Sequence, residues 1–190
     1  MRSSREIEIK LRVADALVAR GLLKTAGFSV CRRRVFEDNV ILDTPDSGVR
    51  NRGSLLRVRA AGGTSTLTYK GPAAIGGRHK SREELEIEIS HAATAFAILE
   101  NLGFQRVFRY QKYRTEYSQP GARGVVTLDE TPIGCYLEVE GSPRWIDRTA
   151  RKLGFSEKDY ITLSYGALYL QFCAEQGIKP ADMLFPRRAT

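Results

Sequence analysis

The sequence predicts a mainly β protein of the α+β class, in which an antiparallel sheet curls into a closed β-barrel with a charged interior. The first reason is the segment Glu6-Ile7-Glu8-Ile9-Lys10, in which charged and apolar residues alternate. On a β-strand this alternation points the charges to one face and the isoleucines to the other. The second reason is that nearly every predicted strand repeats the pattern. In an antiparallel sheet that buries its apolar side and curls into a barrel, the charged faces meet in the interior.

The later strands keep the alternation and are separated by turn residues. They are Leu56-Arg57-Val58-Arg59, Thr66-Leu67-Thr68-Tyr69-Lys70, Glu84-Leu85-Glu86-Ile87-Glu88-Ile89, Lys112-Tyr113-Arg114, Val125-Val126-Thr127-Leu128-Asp129 and Tyr136-Leu137-Glu138-Val139-Glu140-Gly141. Gly62-Gly63 separates the first two strands, and Thr131-Pro132-Ile133-Gly134 joins the last two. Another extended stretch covers residues 35–43, where we expect Asp43 to cap the turn that follows.

Apolar residues at helical spacing predict four helices. Their ranges are about 14–26, 91–102, 144–153 and 159–176. The segment around Tyr160 to Tyr169 is a candidate plug for one end of the barrel. Arg32-Arg33-Arg34 shows no alternation and is expected to be a solvated strand edge. We expect one domain over residues 1–180 and a C-terminal tail over residues 181–190.

The composition is that of a globular protein. The chain has 190 residues, of which 42% are hydrophobic and 27% charged, so it can bury a sizeable core. No apolar run near the N-terminus is long enough for a signal peptide or a membrane span, and we therefore expect a cytoplasmic protein with no membrane partner. The three cysteines are widely spaced, which argues against a disulfide framework or a zinc site. His79 and His91 lack the Ser or Cys context of a catalytic triad.

The net charge of +8 predicts an attraction for polyanions. Nucleic-acid-binding surfaces usually cluster Lys and Arg without acids between them, whereas here bases and carboxylates share the same strand faces. We therefore expect no nucleic-acid partner. A bound phosphate compound together with metal ions suits the mixture better.

If the charged faces converge, the barrel interior contains both signs of charge. The acids are Glu6, Glu8, Asp129, Glu138 and Glu140, with Glu84, Glu86 and Glu88 in the same phase. The bases are Lys10, Arg57, Arg59, Lys70, Lys112 and Arg114. Burying an unpaired charge costs several kcal/mol, so these groups need partners. A linear triphosphate offers anionic oxygens to the bases, and Mg²⁺ or Mn²⁺ binds carboxylate oxygens.

In this order the residues resemble the CYTH superfamily, the triphosphate tunnel metalloenzymes. The opening Glu6-x-Glu8-x-Lys10 resembles the family signature. Its later motifs are matched in order by Arg57-x-Arg59, Lys70, Lys112-x-Arg114, Asp129 and Glu138-x-Glu140. Leu67-Thr68-Tyr69-Lys70-Gly71-Pro72 followed by Ser81-Arg82-Glu83-Glu84 looks like the class IV adenylyl cyclase branch. The resemblance spans roughly residues 5–170. It implies a closed antiparallel β-barrel of about eight strands with helices packed outside, whose interior is a triphosphate tunnel, and a divalent-metal reaction on a small-molecule triphosphate.

The resemblance also implies roles for individual residues. It implies Glu6, Glu8 and Lys10 as catalytic residues, and as metal ligands Glu6, Glu8, Asp129, Glu138 and Glu140. It implies as triphosphate ligands Lys10, Arg57, Arg59, Lys70, Lys112 and Arg114, to which Arg82 is added because it lies in phase. For Glu84, Glu86 and Glu88 two interpretations stay open, direct metal ligation or orientation of the arginines across the barrel. The implied cofactor is Mg²⁺ or Mn²⁺, and the outer surface leaves room for a homodimer.

Three functions remain as alternatives. In a triphosphatase, water attacks a terminal phosphorus and a diphosphate leaves, and the substrate is inorganic tripolyphosphate or a nucleoside or thiamine triphosphate. In a class IV adenylate cyclase, a ribose hydroxyl attacks the α-phosphorus of ATP, which yields cyclic AMP and pyrophosphate. A third alternative is a module that binds polyphosphate or RNA ends without turnover. We place the triphosphatase first because no residue that reads adenine is identified from the sequence.

Overall fold

The computed structural model describes residues 4–74 and 76–186 and contains a closed antiparallel barrel. Its strands are β1 (Ser4–Val13), β2 (Ser29–Asp43), β3 (Leu55–Ala61), β4 (Thr64–Lys70), β5 (Lys80–Ile89), β6 (Gln105–Ser118), β7 (Val125–Thr131) and β8 (Gly134–Glu140). They pair in the order β1-β5-β4-β3-β2-β6-β7-β8, and β8 pairs again with β1. The predicted fold class is confirmed.

Helices lie outside the strands. They are α1 (Ala16–Thr25), α2 (Gly48–Asn51), α3 (Ala92–Asn101), α4 (Pro143–Lys152) and α5 (Tyr165–Gln176), with a 3₁₀ turn over Glu157–Asp159. The four predicted helices are present. The last begins six residues later than predicted, because Ile161 instead forms two backbone hydrogen bonds with Lys10 of β1 at 2.8 and 2.9 Å. Asp43 accepts hydrogen bonds from the backbone of Thr44, Val49 and Arg50, which confirms its capping role and explains the short helix α2.

Strand β2 is longer than predicted and includes Arg32-Arg33-Arg34. These arginines are exposed, as expected. The described pairing of β2 with β3 covers only residues 37–42, so at Arg32-Arg33-Arg34 the strand is paired with β6 on one side and forms a solvated edge on the other. Arg32 contacts Glu116 at 3.2 Å and Arg34 contacts Glu130 at 2.8 Å. The two register shifts between Val30 and Val35 interrupt the alternation on which the sequence prediction relied.

Apolar residues of the strands pack against the helices in two clusters. In the larger one, α1 and α4 cover the apolar faces of β1, β7 and β8, with Ile9, Leu137 and Ile146 fully buried. In the smaller one, Tyr165 and other residues of α5 pack against β6 and β8 and border the charged interior. Burial of one face by helices leaves the opposite, charged face to line the barrel interior. The helices therefore determine which side chains enter the site.

Part of the segment predicted as a tail lies against β6. The Met183 amide donates to the Arg109 carbonyl at 2.9 Å, and the Gln111 amide donates to the Met183 carbonyl at 3.0 Å. Met183 is only 1% exposed. Residues 187–190 of the predicted tail lie outside the described residues. The domain boundary at residue 180 stays a prediction.

Candidate functional site

The charged strand faces line a cavity of about 1200 Å³ that runs into the barrel. Most of the residues predicted for the site line it together. They are Glu6, Glu8, Lys10, Arg57, Arg59, Lys70, Arg82, Lys112, Arg114, Glu138 and Glu140. Asp129 lies beneath this lining and is completely buried. We call this charged interior the tunnel.

Glu6 pairs with bases on the neighbouring strands. The Lys70 ammonium lies 2.7 Å from both of its carboxylate oxygens, and the Arg82 Nε lies 3.8 Å from one of them. Burial raises the pKa of Glu6, and nearby Glu8 and Glu84 raise it further, while Lys70 lowers it. The net pKa of Glu6 lies above its usual value, so the bases do not fully compensate the crowded negative charge.

Glu8 is shared by two lysines. Its Oε1 accepts hydrogen bonds from Lys10 at 3.2 Å and from Lys80 at 3.1 Å. Burial alone would raise the pKa of Glu8, but Lys10 and Lys80 hold the pKa at about 2. Lys10 also lies 3.0 Å from Glu138. Glu8 is therefore an ionised carboxylate between two ammonium groups.

Asp129 is the most enclosed acid of the site. Arg114 donates to both of its oxygens, at 2.7 and 2.6 Å, and Lys112 donates to Oδ2 at 2.9 Å. Tyr165 of α5 adds a fourth hydrogen bond to Oδ2, at 2.6 Å. Because these contacts occupy both oxygens, a cation reaches Asp129 only if some of them break. Arg114 also contacts Glu138, which joins the β6, β7 and β8 sides of the tunnel.

The arginines of β3 are held by acids from the neighbouring strand β2 and from β5, which lies beyond β4. Arg59 contacts Glu86 at 2.8 Å and Glu37 at 3.7 Å, and Arg57 contacts Glu86 at 3.6 Å and Glu84 at 3.9 Å. Glu84 also contacts Lys70, at 3.1 Å. These contacts correspond to the arginine-orienting interpretation of Glu84 and Glu86. Glu88 is exposed and is not part of the described lining.

Three residues of the site were not predicted as such from the sequence. Lys80 lines the tunnel two residues before Arg82, and the same alternation could have revealed it, although the Gly-rich loop before it obscured the strand start. Glu37 is buried between Lys112 and Arg59. Burial would raise the pKa of Glu37, but Lys112, Arg114 and Arg59 hold the pKa at about 2. Tyr165 comes from a helix, so strand alternation could not have located it.

Glu140 ends β8 at the mouth of the tunnel, where its side chain is exposed. Partial desolvation together with repulsion from Glu6 and Glu138 raises the pKa of Glu140 to about 7. Within residues 4–74 and 76–186, no three Asp, Glu, His or Cys side chains form a metal-binding cluster, because most tunnel acids contact Lys or Arg instead. The crowded carboxylates of β1 and β8 nevertheless have the oxygen donors that Mg²⁺ and Mn²⁺ prefer. The residues present therefore fit a divalent cation.

The cavity lining is not charged throughout. It also includes the apolar side chains Ile41, Leu55, Phe108 and Leu170. This apolar part of the lining is suited to an organic group more than to phosphate.

Comparison with known proteins agrees with this geometry. The sequence model of the CYTH domain family matches residues 4–165. The chain belongs to the CYTH domain family. This family includes adenylyl cyclase-like proteins and triphosphatases. Among the described residues, no helix of this CYTH protein is both long and apolar enough to cross a membrane.

Individual relatives share the barrel. "Putative adenylate cyclase MJ0240" of Methanocaldococcus jannaschii is 31% identical over 137 residues, which cover 72% of this chain and 77% of the relative. The X-ray structure of a putative adenylate cyclase from Vibrio parahaemolyticus matches with a TM-score of 0.75 and 22% identity, over 88% of this chain and 98% of that one. A Hippeastrum protein described as a putative adenylyl cyclase with a dominant triphosphatase activity matches with a TM-score of 0.62 and 16% identity, over 92% and 97% of the two chains. The two structural matches show a shared fold.

Proposed function

We propose that this CYTH protein hydrolyses a triphosphate inside the barrel with the help of Mg²⁺ or Mn²⁺. The observation that carries the proposal is that tunnel acids and tunnel bases neutralise one another in contacts such as Glu6–Lys70 and Asp129–Arg114. A divalent cation bound to a triphosphate brings both signs of charge together. It can therefore replace these internal pairs without leaving a buried charge unpaired. A simple anion or a lone cation could not do so.

The acids and bases then have separate tasks. The carboxylates of Glu6, Glu8, Glu138 and Glu140 would hold the cation, with Asp129 available only after Tyr165 and its bases move. The bases Lys10, Arg57, Arg59, Lys70, Arg82, Lys112 and Arg114 would bind phosphate oxygens. The two guanidinium groups of β3 suit this task because each presents a planar fork of N–H donors. A bound divalent cation would neutralise charge on the phosphates and polarise their P–O bonds.

Hydrolysis needs little more than this positioning. The oxygen of a water molecule forms a bond to the terminal phosphorus, the bond to the bridging oxygen breaks, and a diphosphate leaves with the electron pair. The protons of the water are released to solvent and product oxygens. Lys and Arg side chains neutralise the charge that develops on the leaving diphosphate. No Ser, Cys or His nucleophile is required.

A second candidate is cyclisation of ATP. Two observations favour it, the name of the relative that is 31% identical and the apolar part of the cavity lining, which offers a surface on which a base could pack. In that reaction the ribose 3′-oxygen attacks the α-phosphorus, pyrophosphate leaves, and the hydroxyl proton is released. Hydrolysis remains first because the charged tunnel alone accounts for it. The Hippeastrum protein, which is described as a putative adenylyl cyclase with a dominant triphosphatase activity, has the same fold.

Product analysis separates the candidates. The purified protein is incubated with tripolyphosphate, ATP or thiamine triphosphate, each with Mg²⁺ or Mn²⁺, and the products are resolved by chromatography. Glu8→Gln is the matched variant that should abolish turnover. Glu88→Gln is the control that should not, because Glu88 is exposed near the end of β5 and does not belong to the described cavity lining. Orthophosphate release in wild type, lost in Glu8→Gln, supports hydrolysis. Cyclic AMP with pyrophosphate supports the cyclase, and binding without any product supports a binding module.

A further inference from the structure

Lys80 stands out among the tunnel bases because its charge is poorly balanced. Within the described part of the chain, the one acid its ammonium contacts is Glu8, at 3.1 Å. It shares the same Glu8 oxygen with Lys10, whereas Lys10 also has Glu138 at 3.0 Å. The Lys80 side chain is only 9% exposed. Lys80 therefore depends on a carboxylate oxygen that it shares with a second buried ammonium group.

An ammonium group has three N–H donors, and burial removes the water that would otherwise accept from them. Glu8 accepts one of the Lys80 donors. Lys80 lines the cavity, so its remaining donors are within reach of a ligand there. An anionic ligand in the tunnel is the acceptor that this site lacks, because phosphate oxygens form strong charge-assisted hydrogen bonds with ammonium groups.

The position of Lys80 is fixed from outside the barrel. The two residues before it, Arg78 and His79, both contact Asp147 of α4 at 2.7 Å. Lys80 is also paired in register with Glu8 across β1 and β5, and Glu8 is paired with Glu140 on its other side. A fixed backbone at the start of β5 lowers the entropic cost of presenting the ammonium to a ligand.

We propose that Lys80 is a further substrate-binding residue, which donates to a phosphate oxygen of the triphosphate on the β1–β5 side of the tunnel. This inference rests on the proposed function. Lys80 would bind the phosphate from β5 while the bases of β3 and β6 bind it from their own strands, so that phosphate is held from more than one side. When the Lys80 ammonium donates to a ligand instead of to Glu8, the Glu8 carboxylate becomes available to other partners.

The test measures binding of inorganic tripolyphosphate by calorimetry in the presence of EDTA, so that neither turnover nor metal binding contributes. Lys80→Met keeps the apolar stem and removes the charge, and Lys152→Met, an exposed lysine at the end of α4, is the matched control. We expect tripolyphosphate affinity to fall roughly tenfold to a hundredfold in Lys80→Met. The control should bind like wild type.

A steady-state assay supplies a second readout. Lys80→Met should raise KM by a similar factor with a smaller change in kcat, provided that its thermal unfolding matches that of wild type. If Lys80→Met does not fold, Lys80→Arg replaces it, and a changed affinity in that variant supports the role. Unchanged tripolyphosphate affinity in a folded variant overturns the assignment of Lys80 alone. Failure of wild type itself to bind any triphosphate overturns the proposed function as well.

Discussion

The Tyr165 hydroxyl donates a hydrogen bond to Asp129 Oδ2 over 2.6 Å and thereby joins helix α5 to the floor of the tunnel. The Tyr165 ring also lies about 5 Å below the ammonium groups of Lys10 and Lys112, at 5.2 and 5.1 Å from their nitrogens. Burial and the neighbouring Asp129 raise the pKa of Tyr165 well above its usual value, so it stays a donor. One side chain of a helix therefore closes this end of the charged interior.

Removal of that hydroxyl should be measurable. Tyr165→Phe leaves Asp129 with Lys112 and Arg114 but deletes one buried charge-assisted hydrogen bond, so we expect the free energy of unfolding to fall by about 1–3 kcal/mol. Urea denaturation measures it. Tyr169→Phe is the matched control, because its hydroxyl makes only long contacts of 3.3 and 3.4 Å with backbone groups. A loss in Tyr165→Phe no larger than in the control would contradict this role.

Glu37 makes stability depend on pH. Its folded pKa, about 2, lies below the ordinary value of 4.5, so its ionisation favours the folded state above pH 4.5. That contribution is lost as pH falls from about 4.5 towards 2. Compared with wild type, Glu37→Gln should lose of the order of 1–3 kcal/mol at neutral pH. The difference between the two proteins should shrink on acidification, as measured by urea denaturation at a series of pH values. A difference that stays constant down to pH 2 would argue against the assigned pKa.

Asp147 should hold the start of β5 in place. It accepts from Arg78 and His79 at 2.7 Å and from Tyr160 at 3.2 Å. Asp147→Asn should therefore cost about 1–2 kcal/mol and speed hydrogen exchange in the first residues of β5. Arg78→Ala is the control. It removes two ion pairs, with Asp147 and Glu157, but the arginine is 52% exposed, so stability should change little. Equal exchange rates in wild type and Asp147→Asn would show that the contact does not fix this segment.

Divalent cations should stabilise the protein through the crowded carboxylates. A ligand that binds only the folded state raises the unfolding temperature with its concentration. We expect Mg²⁺ or Mn²⁺ to raise the unfolding temperature of wild type, and to do so less in Glu140→Gln. Glu88→Gln, whose glutamate is exposed away from the tunnel, should respond like wild type. Differential scanning fluorimetry with and without EDTA makes the comparison, and an undiminished shift in Glu140→Gln would remove this residue from the cation site.

Strand alternation predicted much of the site, because a period of two residues determines which side chains face the interior. Glu6, Glu8 and Lys10 illustrate this, since all three line or approach the tunnel as expected. The pairing between charges could not be predicted in the same way. The contact between Lys70 and Glu6 joins residues that are far apart in the chain, and depends on the strand order around the barrel.

Tyr165 and the start of β2 show two further limits. The docking of α5 is a tertiary event, so its inward-facing tyrosine has no local pattern that marks it. In β2, the register shifts break the alternation before Val35, and the run Glu37-Asp38-Asn39 is polar on both faces. Glu37 therefore could not be recognised as an inward-facing acid. In a strand with register shifts, residue alternation alone does not identify the side chains that face the interior.

The proposed hydrolysis requires that water, and not a substrate hydroxyl, attacks the triphosphate. The most direct measurement incubates the protein with ATP and Mg²⁺ or Mn²⁺ in ¹⁸O-labelled water and analyses the products by mass spectrometry. If water attacks the terminal phosphorus, the orthophosphate released from ATP carries one ¹⁸O atom and no cyclic nucleotide forms. Unlabelled pyrophosphate together with cyclic AMP would contradict hydrolysis and establish cyclisation instead.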